Sequence, residues 1–87
     1  MSTEQSAGNR QWIKVGDDPL RYEYGRESSS SFLPQVKDQL AYVEAEKYSS
    51  YFHWETYTNP HEKGAAPDVE QAQQRAIEAL REHDFEI

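Results

Sequence analysis

The chain has 87 residues, sixteen Asp and Glu against nine Lys and Arg, a formal net charge of −7, no cysteine and 36% hydrophobic residues. A chain of this length makes one domain that buries roughly 60–65% of the surface its unfolded form exposes, which leaves no room for a two-domain enzyme with a deep cleft. Without cysteine there is no disulfide framework, thiolate nucleophile or Cys-containing zinc site, so packing alone must hold the fold, and a cytoplasmic home is expected.

No apolar run approaches the roughly 18 residues of a bilayer span, and the opening Met1-Ser2-Thr3-Glu4-Gln5-Ser6 lacks the basic-then-apolar pattern of a secretory signal. No membrane partner is therefore expected. The bases are scattered from Arg10 to Arg81 instead of clustered as phosphate neutralisation demands, which weighs against nucleic acid as a ligand. A basic protein surface is the natural complement of the acidic excess.

Residues 1–9 are small and polar with no apolar periodicity and read as a disordered tail, leaving a single domain over 10–87. Over 11–15, Ile13 and Val15 alternate with Trp12 and Lys14. Gly16-Asp17-Asp18-Pro19 then supplies turn chemistry, and over 20–24 Leu20, Tyr22 and Tyr24 alternate with Arg21 and Glu23. This predicts a β-hairpin whose second strand ends at Gly25, with a flexible serine connection at 28–31.

Residues 31–47 read two ways. Leu33, Val36, Leu40 and Val43 recur at helical spacing, Pro34 suits a first turn, and Ser30 or Ser31 could cap it, which favours a helix. The rival is a strand over 40–46, with Ala41, Val43 and Ala45 alternating against Tyr42 and Glu44, that turns through Lys47-Tyr48-Ser49-Ser50 to pair with the next segment.

Residues 51–58 form the clearest strand, with Phe52, Trp54 and Thr56 on one face and Tyr51, His53, Glu55 and Tyr57 on the other. Phe52 and Trp54 belong to the core. Asn59-Pro60 and His61-Glu62-Lys63-Gly64 read as a loop. Asp68 then stands at an N-cap with Gln71 completing a capping box, and Val69, Ala72, Ala76, Ile77 and Leu80 make one stripe of a helix over 68–83. The predicted fold is α+β, a small antiparallel sheet of three to four strands with a C-terminal helix packed on one face, ordered β-β-α-β-α or β-β-β-β-α.

Trp54-Glu55-Thr56-Tyr57, followed by Gly64-Ala65-Ala66-Pro67-Asp68-Val69-Glu70-Gln71-Ala72 with Ala76 and Leu80, resembles small uncharacterised bacterial and phage proteins. In these, a strand with a Trp-x-x-Tyr core leads through a short loop to a capped helix. Gln71 replaces their usual second acid. The resemblance covers about a third of the chain and implies a sheet capped by a C-terminal helix, with no activity attached.

His53 and Glu55 lie two apart on one strand face, with His61 and Glu62 just beyond, so a small metal- or ligand-binding protein or enzyme using His53, Glu55 and His61 is one reading. The H-E-x-x-H spacing fails, because Lys63, Gly64 and Ala65 follow Glu62, and solvated or cross-strand-paired side chains are the plainer account. There is no G-x-S-x-G turn, and pairs such as Asp17-Asp18 or Glu44 with Glu46 suit turns and wet faces. No catalytic residue, cofactor or metal ligand is assigned, and a non-enzymatic protein is expected.

Six Tyr, three Phe and two Trp exceed what so small a core encloses. Some rings must reach the surface, and Tyr22, Tyr24, Tyr51, His53 and Tyr57 are the candidate interaction surface, with the alternates of Tyr22 and Tyr24 taking their place if the second hairpin strand presents its other face. The plainer alternative lays tyrosine rings over the edges of a thin core with their hydroxyls wet. The favoured function is a regulatory or interaction module that self-associates as a homodimer or binds a protein partner, with a prophage origin within that reading. A lesser one is an acidic mimic of nucleic acid, since residues 62–87 carry seven acids against three bases.

Overall fold

The computed structural model describes residues 10–28 and 35–83, so the expected tail at 1–9 and most of the serine connection lie outside the described residues. Five strands, β1 Gln11–Asp17, β2 Leu20–Ser28, β3 Gln35–Ala45, β4 Phe52–Thr56 and β5 Lys63–Ala66, precede one helix, α1 Val69–Glu82. The strands form a single antiparallel sheet in chain order, and α1 packs across β3, β4 and β5 on one face. No helix among the described residues is long and apolar enough to cross a membrane.

The sheet thus has five strands where three to four were expected, and residues 35–45 are strand where a helix was favoured. Pairing decided the second point. Val43 sits opposite Tyr22 on one edge and Trp54 on the other, and Ala41 sits opposite Tyr24 and Thr56. A segment with ladder partners on both edges satisfies the backbone groups it turns to each side and buries Ala41 and Val43 on one face, a gain that outweighs the good helix propensity of Lys37, Gln39, Leu40, Ala41, Glu44 and Ala45.

The added strand, β5, has the sequence Lys-Gly-Ala-Ala and little β propensity of its own. It is held by β4, with Gly64 opposite Trp54 and Ala66 opposite Phe52. The Trp54 indole lies on Gly64 so closely that a Cβ there would fall 2.9 Å from three ring atoms. Gly25 likewise does not end β2. It occupies a bulge between Tyr24 and Arg26, where β2 approaches β3 and the strand continues to Ser28. Across that bulge Asp38 takes a φ of 55°, and its carboxylate accepts a 2.6 Å hydrogen bond from Arg26.

The core joins Tyr24, Ala41, Val43, Trp54 and Ala66 of the sheet to Ala72, Ala76, Ala79 and Leu80 of α1, with Trp12, Leu40, Phe52 and Ile77 packed against it. Small alanines on the helix stripe let its backbone lie close to the sheet. The helix begins at the predicted N-cap, but the Gln71 side chain bonds the Asp68 carboxylate and not the Asp68 N–H that a capping box requires. The Asp68 carboxylate accepts the Gln71 backbone N–H at 2.8 Å, and the Gln71 side-chain amide donates back to the same carboxylate at 3.1 Å.

Candidate functional site

Side chains alternate along a strand, so the register that buries Ala41, Val43, Trp54 and Thr56 beneath α1 turns Tyr42, Glu44, His53 and Glu55 to the opposite face. On β2 the same rule brings Arg21 opposite Glu44 and Glu23 opposite Tyr42. No described element covers this face, and its side chains bind one another.

Arg21 is the hub. Its guanidinium donates to Glu23 at 3.1 Å, to Glu44 at 3.0 Å and to the Tyr57 hydroxyl at 3.2 Å, and its Cζ lies 4.1 Å from the centre of the Tyr42 ring. Tyr42 and Tyr57 stack with centroids 5.6 Å apart. The other oxygen of Glu23 is buried and has no hydrogen-bond partner among the described residues.

Glu55 is the second centre. His53 Nε2 meets its Oε1 at 2.8 Å, His61 Nε2 meets its Oε2 at 2.5 Å, and the Tyr42 hydroxyl donates to Oε1 at 2.9 Å. Those bonds, His53 first and Tyr42 next, favour the carboxylate and hold its pKa down at about 2. Burial, reinforced by the Glu55 carboxylate it bonds, pushes the Tyr42 hydroxyl up to about 12.

A pH dependence follows. Because the folded state depresses the pKa of Glu55 from 4.5, its stabilisation is fully present above that value and is lost as pH falls from about 4.5 toward about 2. Urea midpoints measured across that window should decline more steeply for the parent than for Glu55→Gln. Equal slopes would remove Glu55 from the acid response.

The expected surface residues divide. His53 and Tyr57 lie in the network, Tyr57 being 49% exposed, and Tyr51 is exposed at the β3–β4 turn with its N–H bonded to Ser49 Oγ at 3.1 Å. Tyr22 and Tyr24 do not join them. Their partners across the ladder are Val43 and Ala41, so both rings sit on the helix side of the sheet. There Tyr24 is only 8% exposed and packs on Trp12 with centroids 5.0 Å apart. Their alternates, Arg21 and Glu23, take the open face. Tyr42 and Glu44 were hidden by the helical reading of 31–47, although their alternation with Ala41, Val43 and Ala45 is the signal that finds them.

His53, Glu55 and His61 do come together, with the two imidazoles gripping different oxygens of one carboxylate. Among the described residues, the three side chains whose ligand atoms all lie within 4.8 Å of one another are Glu62, Glu82 and His83. Beyond Glu44 and His53 the open face runs into a shallow groove between the β1–β2 and β3–β4 turns, bordered by Asp17, Asp18, Glu46 and Lys47. In comparisons with known proteins, no family model, curated protein or solved structure matches the chain.

Proposed function

We propose that the chain is a non-enzymatic interaction module whose open sheet face receives a Lys- or Arg-rich segment of a partner protein. The observation that carries this reading is the ordered Tyr42–Tyr57–Arg21 surface with its ring of carboxylates, on the face opposite α1 and continuous with the acid-bordered groove. Arg21 spends its donors on Glu23, Glu44 and Tyr57, so it has little left to recruit an anion. Three carboxylates, Glu23, Glu44 and Glu55, stand on this face beside this one guanidinium.

Stacked tyrosines offer flat surfaces to a guanidinium or a lysine stem, and acidic borders steer a cationic segment toward them. Side chains already held by hydrogen bonds lose little freedom on binding. A short Lys/Arg-rich peptide followed by amide NMR provides the test. Perturbations should concentrate on β3, β4 and the groove, and fade in about 0.5 M NaCl. Tyr57→Ala and Glu44→Gln should each weaken binding about 3–10-fold while preserving the fold. Absence of binding at millimolar peptide, or binding indifferent to salt and both substitutions, would reject the proposal. So would light scattering that reveals a dimer closed through this face.

A further inference from the structure

We infer a divalent-cation site where the β4–β5 connection meets the C-terminal end of α1, formed by Glu62, Glu82 and His83. One ligand atom from each lies within 4.8 Å of the other two, and His83 Nε2 is in direct contact with a Glu62 carboxylate oxygen. Zinc bonds of about 2.0–2.2 Å at tetrahedral angles separate ligand atoms by roughly 3.4 Å, so the set closes on an ion when Glu62 and His83, now in direct contact, part to that spacing and the exposed Glu82 turns in.

The two halves of the site are fixed from different parts of the chain. Glu62 is anchored by its backbone, which donates to the buried Thr56 Oγ1 at 2.9 Å and accepts the Thr56 N–H at 2.8 Å. His83 is the C-cap of α1, its N–H bonded to the Leu80 carbonyl at 3.2 Å. The neighbouring residues His61 and Glu62 are turned to different sides, His61 to Glu55 on the open face and Glu62 to the helix end, so this site is separate from the proposed docking face.

Two carboxylates and an imidazole give an O,O,N donor set with the remaining coordination left to water, suited to Zn²⁺ and neighbouring first-row divalents ahead of Mg²⁺. The placement adds to the attraction. Unpaired carbonyls and the negative end of the macrodipole gather at a helix C-terminus, where a cation is stabilised. A bound ion would tie the β4–β5 connection to α1 across 21 residues of sequence and so stabilise the folded chain.

Calorimetry and thermal unfolding of the full chain with Zn²⁺, and Mg²⁺ as comparator, test the site. Zn²⁺ at about a hundredfold over its Kd should raise Tm by roughly 10–20 °C, with little effect from Mg²⁺. Glu62→Gln and His83→Gln should each weaken Zn²⁺ binding at least about tenfold, as should Glu82→Gln, whose exposed position leaves the fold intact if either of the others unfolds. His53→Gln and His61→Ala should retain binding. No heat and no Tm shift at about 1 mM Zn²⁺ overturns the assignment. Binding that survives Glu82→Gln and His83→Gln but disappears in His53→Gln overturns it too, by placing the ion at Glu55.

Discussion

Leu80→Ala is expected to lower the unfolding free energy by about 3–4 kcal/mol, within the range for a fully buried leucine. Leu80 has no solvent exposure and is the largest fully buried side chain among the described residues. The other buried positions of α1, Ala72, Ala76 and Ala79, are alanines, so Leu80 is the one large side chain that the helix buries completely, with Ile77 half-buried beside it. Truncation removes the transfer energy of the lost methyl groups and leaves a void that neither the close-lying alanines nor the sheet can fill. A domain of this size is stable by only about 4–13 kcal/mol, so the loss is a large fraction of the whole. Urea unfolding followed by tryptophan fluorescence would measure it, with the exposed Glu78→Ala as a control expected within about 0.5 kcal/mol of the parent. A loss below about 1 kcal/mol for Leu80→Ala would mean that α1 is not docked through this side chain.

Gly25→Ala should cost about 2–4 kcal/mol, an unusual penalty for adding one methyl group. Gly25 does not have a positive φ, so torsional strain is absent and the cause is space. The new Cβ would lie 2.6 Å from Val36 Cγ1, 2.8 Å from the Lys37 carbonyl oxygen and 3.2 Å from Gln39 Cα. Val36 can rotate away, whereas the Lys37 carbonyl is backbone on the paired strand and moves only if the β2–β3 bulge opens. The double variant Gly25→Ala/Val36→Ala should therefore fail to recover the stability of Val36→Ala alone. Gly16→Ala offers a contrast, since its nearest contacts are the Pro19 carbonyl at 3.3 Å and Arg21 Cβ at 3.8 Å, and it should cost less than about 1 kcal/mol. Similar denaturation midpoints for the two glycine variants would contradict the steric account.

Both variants bear on how far the chain could be read before its tertiary structure. Leu80 lies in a helix marked by local signals: Asp68 and Gln71 at the start, then an apolar stripe at 3.6-residue spacing. Gly25 reads locally as a strand terminator. Its role exists only because β3 passes close beside it. The open face divides in the same way. His53, Glu55 and Tyr57 share a face through the alternation of β4 alone, whereas Arg21, Tyr42 and Glu44 join them through a register set by residues 9 to 36 positions away.

From its sequence alone, this protein determined where α1 begins and which stripe it buries, the course of β4 and the β1–β2 hairpin, and an excess of aromatic rings over core volume. Each depends on contacts or periodicities within a few residues, or on composition. Only the tertiary structure decided that residues 35–45 are a central strand, that Lys63–Ala66 adds a fifth, that Tyr22 and Tyr24 lie on the helix side, and that Glu62 meets His83. In those cases local preference is weak or points elsewhere. The outcome was set by ladder hydrogen bonds and burial supplied by distant segments, an energy that no window of the sequence contains.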